Sequence, residues 1–334
     1  MKQIQSAGLS LRTIVQTVLT TGAPILIAAV LCASNALADA SLYAASPYDV
    51  FVLNNFTDQY SDLQGGLAAG GTINLTGFSL AQGLTASQAA NDFQGGYTLV
   101  AGGLLNANSG RLYAGNAYGY AANVNSNFTI SPGTLTTGTP QVIDFADAGV
   151  QLRALSASLA GMTTTAGDSC VLLYGTTTCT AAANNLNIIN VTDPSVLATN
   201  IQINLTGANA TLVINVPDGS DFVDNGGFSV SGNGGATGGA VLFNYYQATS
   251  LTLGNASFQA SLLAPLASVS ATSGGNFDGT LVANNFTGQL QFDNTDPFTG
   301  DLGSPTPEPA STMLAGAGLI LISLLSNTRA GSRP

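Results

Sequence analysis

Three aspartates crowd one short stretch, "VPDGSDFVDNGG", at Asp218, Asp221 and Asp224. Carboxylates ligate calcium or, in pairs, cleave glycosidic bonds, so chemistry is sought here first. The spacing is every third residue, whereas an EF-hand loop offers its ligands at alternate positions. A glycosidase needs two carboxyls roughly 5–10 Å apart across a sugar. Aspartate also favours turns, because its side chain caps nearby backbone. The stretch reads first as a solvated turn, and calcium is the only cofactor it could call for. No residue is assigned a catalytic role, and no metal site is assigned beyond this weak calcium signal.

The remaining reactive side chains are few. The chain has no histidine and three cysteines. Cys170 and Cys179 enclose "VLLYGTTT", with Gly175 available for a turn. Without a histidine or further thiols, this pair reads as a local disulfide, the usage expected of an exported protein. Tyr113, Tyr118 and Tyr120, with Tyr245 and Tyr246, offer flat contact area at small entropic cost. Half-buried packing is the plainer reading of strand tyrosines.

Charge excludes one class of partner. Only 7% of the 334 residues are charged, and the formal net charge is −11. Between the terminal segments the only cations are Arg111 and Arg153. Such an acidic, lysine-free body repels phosphate backbones, so nucleic acid is excluded as a partner. Apolar and β-branched residues remain plentiful enough to build a core.

Both ends read as addresses. Lys2 and Arg12 precede the apolar run "PILIAAVLCA", and Ala36 and Ala38 follow in an A-x-A arrangement. That order predicts a secretory signal peptide over 1–38, cut after Ala38. Near the other end, Met313 to Leu325 is a run of 13 uncharged residues. A bilayer-spanning helix needs roughly 20, so the run is short for a permanent anchor. Pro307 and Pro309 stop any helix entering from the body. Pro307, Glu308 and Pro309, the apolar run, and Arg329 and Arg333 together resemble the PEP-CTERM sorting signal. That resemblance implies an exosortase partner at the inner membrane of a Gram-negative-type bacterium. It also implies membrane contact through residues 304–334 before processing. The chain departs from the pattern in lacking a tight basic cluster right after the apolar run.

Between these ends, residues 39–303 alternate strand-like segments with glycine- and asparagine-rich turns. "GGTINLTGFSL" and "SLTLGNASFQASLLAP" place apolar residues at every second position, the period of a half-buried strand. Short, fairly regular turn spacing predicts a mainly β, β-solenoid-like single domain, with a β-sandwich as the alternative. One segment differs. "VIDFADAGVQLRALSASLAGM" places Val150, Leu152, Leu155 and Leu159 at helical spacing, with Asp144 or Asp147 near the start and Gly161 as a stop. A flanking helix is expected from about Asp144 to Leu159, its apolar stripe on the β body and Arg153 in solvent. N-x-S/T triplets recur, among them Asn55, Asn74 and Asn285, and the commonness of asparagine and threonine in β turns explains most of them.

"PYDVFVLNNFTDQYSDLQGGLAAGGTINLTGFSL" resembles the opening of the choice-of-anchor A domain, with "GGLAAGG" (Gly65–Gly71) as its Gly-rich element. "LLAP" (Leu262–Pro265) and "GGNFDGTLVA" resemble its later part. The resemblance implies an adhesive, extracellular domain without catalytic residues. The same texture is similar to bacterial ice-binding solenoids, although no regular T-x-T ladder is visible along the chain. The expected function is a secreted surface or matrix adhesin of the biofilm type, with extracellular polysaccharide or matrix protein as ligand. The rivals are an aspartate-dependent polysaccharide-active enzyme and an ice-binding-like solenoid.

Overall fold

The computed structural model describes residues 42–197, 200–217, 227–233, 236–254, 257–271 and 274–303. Asp218, Asp221 and Asp224, the Ala36–Ala38 cleavage site, and Pro307 to Pro309 with Arg329 and Arg333 lie outside them. Almost all strands run parallel in coils, which makes the body a solenoid and not a sandwich of antiparallel sheets.

The coil length follows from register. Val50 pairs with Leu67 and Thr57 with Asn74, each 17 residues further on. At ~3.3 Å per residue, 17 residues make a loop of about 56 Å, enough for three short sides. Alternation then sorts side chains, one inward and one outward. The inward positions are filled mostly by Leu, Ile, Val and Ala, with a column of phenylalanines among them. Phe258 stacks on Phe277 with ring centroids 5.0 Å apart, and Phe56 on Phe286 at 5.1 Å. Phe292 joins both groups, 5.8 Å from Phe277 and 5.3 Å from Phe286. Each ring taken fully from water contributes about 2–3 kcal/mol of transfer free energy.

The chain does not wind from one end to the other. Its first coils start mid-body at Val50–Val52 and climb to the long strands Tyr97–Leu112 and Asn116–Ile130. A helix then carries the chain down the outside. The remaining coils rise from Leu186–Asn190 until Leu281–Gly288 pairs with both Val50–Val52 and Phe56–Gln59. First and last coils are therefore neighbours, and strands from opposite ends of the sequence share hydrogen bonds.

Two α-helices occur among the described residues. The short α1, Ala86–Asp92, has a capping box in which Thr85 and Gln88 satisfy each other's backbone. The longer α2, Phe145–Ala160, begins where sequence places it: Asp144 Oδ1 accepts from the N–H groups of Ala146 and Asp147. Gly161 ends it. Sixteen residues rise about 24 Å, which equals five strand spacings of ~4.8 Å. The helix thus spans from the strand carrying Ala68 to the strand carrying Asn215. Leu152, Leu155 and Leu159 are buried against the sheet and Arg153 is solvated, as the spacing predicts. Val150 is 65% exposed and does not belong to the stripe. Its place in the heptad falls beside the real seam, a shift of one position that apolar character alone does not reveal.

The glycine-rich element makes the seat for α2. A Cβ on Gly70 would lie 2.2 Å from the Leu53 carbonyl and 3.0 Å from Phe145, and one on Gly102 would lie 2.5 Å from the Gly70 carbonyl. Only glycine permits the approach, and Phe145 fills the space beside Phe51 at a centroid distance of 5.3 Å. At the other end of α2, Asn244, Asn215 and Asn190 form a ladder under the helix. Their Nδ2 groups each donate 2.8 Å bonds to the carbonyls of Ser156, Leu159 and Met162 respectively. Carbonyls keep a second lone pair after their helical or turn bond, and the ladder uses it to tie the C-terminal turn to the sheet.

Candidate functional site

Of the three sides of the solenoid, one is closed by α2. Leu263, Val282, Phe51 and Ala68 point outward there but are buried beneath the helix. The second side is open. On it run Ser250–Leu253, the later halves of Ser261–Ala271 and Leu281–Gly288, then Phe56–Gln59, Ile73–Thr76, and the middles of Tyr97–Leu112 and Asn116–Ile130. Seven parallel strands lie side by side.

Their outward residues stand in rows. Register joins Thr252, Ser270, Thr287, Thr57, Asn74, Asn106 and Asn123 in one line across the strands. At ~4.8 Å per strand this line is about 29 Å long. Hydrogen bonds run along it. Asn123 Nδ2 donates to Asn106 Oδ1 at 3.2 Å, Asn106 Nδ2 to Asn74 Oδ1 at 3.1 Å, and Asn74 Nδ2 to Thr57 Oγ1 at 3.3 Å. A second row starts with Ser268, Asn285, Asn55 and Thr72. Asn285 Nδ2 donates to Ser268 Oγ at 3.1 Å, and the Thr72 N–H donates to Asn55 Oδ1 at 2.8 Å. These bonds lock the rotamers, so the polar atoms keep fixed spacing. Neither row contains a charged residue, although the chain carries a net charge of −11. Each amide in the rows retains donor or acceptor capacity beyond its ladder bond.

The third side is acidic and inward-looking in its bonding. Asp293 accepts from Gln64 Nε2 at 2.7 Å, Gln291 Nε2 at 2.8 Å and Asn276 Nδ2 at 3.3 Å. Burial first, and then the Asp293 charge, hold Asp62 above the usual carboxylate range. Asp278 is raised by burial, with Asp293 and Asp296 adding to the shift. Among the described residues no group of three or more His, Cys, Asp or Glu is disposed to hold a metal ion.

The remaining sequence candidates fall in separate places. Cys170 and Cys179 face each other across an antiparallel hairpin and are joined, Cα to Cα 4.0 Å. Tyr245 and Tyr118 are buried, and Tyr118 donates its hydroxyl hydrogen to the Gly138 carbonyl. Tyr113 and Tyr120 are exposed, and Arg111 lies over the Tyr113 ring at 4.7 Å. Asn55, Asn74 and Asn285 are not turn residues. In the "NLT" of Asn74 and the "NFT" of Asn285 the asparagine and threonine are the two outward positions of a strand, and Asn55 immediately precedes the strand Phe56–Gln59. That pattern was the signal for the open side, and it was visible. What hid the ladder is that its members are consecutive in space but not in sequence.

Residues 41–294 match the family described as "Putative Ice-binding-like adhesive domain". The chain belongs to that family. No curated protein matches it. Among solved structures, it is similar to an ice-binding protein from an Antarctic biological consortium at 11% identity, covering 78% of this chain and 91% of that one, with a TM-score of 0.33. An ice-binding protein from the Antarctic ascomycete Antarctomyces psychrotrophicus gives 13% identity, 80% and 100% coverage, and a TM-score of 0.32. A glycosylated ice-binding protein from an Arctic yeast gives 13%, 81% and 97%, and 0.35. Among the described residues, no helix is long and apolar enough to cross a membrane.

Proposed function

We propose that this adhesive domain is a secreted bacterial surface or matrix protein whose open, seven-stranded side is its contact surface. In this reading the signal peptide exports it and the PEP-CTERM-like tail delivers it to an exosortase. The choice-of-anchor A resemblance agrees with a body that is sorted by its tail. One observation carries the reading: a hydrogen-bonded, charge-free polar row about 29 Å long, on a chain that is otherwise acidic. Fixed, spaced amides and hydroxyls lose little entropy on contact, so they suit an ordered polyhydroxylated surface such as neutral extracellular polysaccharide. A second reading rests on the same rows, because regularly spaced Ser, Thr and Asn also suit an ice lattice.

The test is retention of the secreted protein on purified exopolysaccharide and on ice, with and without calcium. Wild type is compared with a Thr57→Lys/Asn74→Lys variant. Loss of retention on polysaccharide in a variant that stays folded supports the adhesin. Loss on ice alone moves the assignment to ice binding. Unchanged retention removes the open side from the function, and shortening of the polymer overturns the adhesin in favour of an enzyme.

A further inference from the structure

The solenoid ends are treated differently. At the lower end, the edge of Leu186–Asn190 is blocked. The Thr165 N–H donates to the Ile188 carbonyl at 2.9 Å, and the Ile188 and Asn190 N–H groups donate to Thr165 and Thr164 hydroxyls at 2.9 and 3.0 Å. Beside it, Thr176–Ala181 is covered by the antiparallel strand Ser169–Leu173. At the upper end, Asn116–Ile130 is covered from Ala117 to Tyr120, by Leu135–Thr137 and by the Gly138 N–H, which donates to the Tyr120 carbonyl at 3.2 Å. Beyond that cover, the rest of this long strand pairs on its lower side alone among the described residues.

Which backbone groups face the open edge follows from the coils below. Inward-facing residues there send their N–H upward: Phe286 donates to the Asn55 carbonyl and Phe56 to the Thr72 carbonyl, each at 2.9 Å. By the same alternation Ala122 and Val124, which pack against the core, direct their backbone groups at the open edge. An edge strand with unsatisfied backbone is a template for another strand, and proteins normally guard it with charge or proline. Residues 116–130 contain neither.

We propose that a second copy of this chain occupies this edge, the Ala121–Val124 segments of two copies pairing antiparallel about a two-fold axis. Three observations select this occupant. The edge is uncharged in a chain of net charge −11, so two copies meet without repulsion where most of their acidic surface would repel. The flipped copy presents the same rising edge, so the two ends match along their length and the contact closes at two. The described chain ends at Gly303 beside Leu186, at the end opposite this edge. Pairing continues the open side from one copy into the next and doubles its length, which raises avidity for a repetitive ligand without a new contact type.

Mass measurement by light scattering over a concentration series of the full chain tests this independently of any ligand. The expected result is a twofold mass at high concentration, with amide exchange at Ala122 and Val124 slowing as the dimer forms. Val124→Pro removes a donor directed at the open edge, and it should return the mass to that of one copy at an unchanged melting temperature. Ala121→Lys, on the exposed side of the same edge, should do so by repulsion and serves if the proline variant fails to fold. A single-copy mass at every concentration overturns the proposal, as does a dimer that survives both substitutions. Masses growing beyond two overturn it in favour of edge-to-hairpin filaments.

Discussion

Two asparagine ladders of the same chemistry stand on two sides of this molecule. Under α2, Asn244 Nδ2 donates to Asn215 Oδ1 and Asn215 Nδ2 to Asn190 Oδ1, both at 2.8 Å. On the open side, Asn123, Asn106 and Asn74 are linked at 3.2 and 3.1 Å. The first ladder is sealed: Asn215 and Asn244 are 2% and 0% exposed, and their spare donors end on helix carbonyls. The second leaves its spare capacity to water or a ligand. Identical rows therefore do opposite jobs. Where water is excluded, the row is a structural clamp whose loss leaves polar atoms orphaned. Where water has access, losing one member costs little stability, and its value lies in what it can contact.

The largest expected effect extends the contrast to buried carboxyls, which exaggerate the cost of excluding water. Burial pushes Asp49 up to about 8 against the N–H of Gly65, with the Asp293 charge adding to the rise. Burial likewise pushes Asp58 up to about 8, against the N–H groups of Gln59 and Leu290. Both folded values lie above the unfolded one, so the native state holds more protons between pH ~4 and ~8. The stability these groups contribute is complete below pH ~4 and disappears as pH rises through about 8. Denaturant unfolding at pH 5 and pH 9 should differ by on the order of 5 kcal/mol in favour of acid, after allowing for local relaxation. Asp49→Asn should flatten the profile by about half. A flat wild-type profile would show that water reaches both carboxyls.

Next in size is the sealed ladder. Asn215→Leu leaves Asn190 Oδ1 without its donor and removes one of the bonds made by the Leu159 carbonyl and by the Asn244 amide, which should cost about 1–3 kcal/mol in unfolding free energy. It should loosen the C-terminal turn of α2, read as faster amide exchange there. A cost under about 1 kcal/mol would mean that water enters beneath the helix and would erase the distinction between the ladders.

The smallest stability effect belongs to the open ladder. Asn106→Ala should change unfolding free energy by no more than about 0.5 kcal/mol, because solvent replaces its bonds. The same variant should lose retention on the ligand surface, a separation between fold and contact that Asn215→Leu cannot give. If Asn106→Ala destabilises as much as Asn215→Leu, the open row is a clamp as well.

Much of this was legible in the residues. Alternation in "TINLT" and "SLTLG" identified strands, because a strand with one buried side must alternate. Asp144 and Gly161 bracketed α2, because helix ends need a cap and a stop. The seat of that helix was less legible: Gly70 and Gly102 are distant in sequence, and their shared purpose emerges only when coils stack. The contact face was read wrongly in part. Asparagines 55, 74 and 285 carry the polar rows, yet asparagine is so common in turns that its type alone pointed elsewhere.

Sequence by itself determined the inward and outward sorting of side chains, the position of the helix and the low charge. Those are local properties, set by period, capping and composition within one segment. Tertiary structure alone decided which rows exist. Thr287 and Thr57 stand next to each other only because the last coil pairs with the first. Asn190, Asn215 and Asn244 become a clamp only because α2 turns back over them. Both depend on register between distant strands, which is fixed by how the whole stack fills its core and not by any stretch of chain.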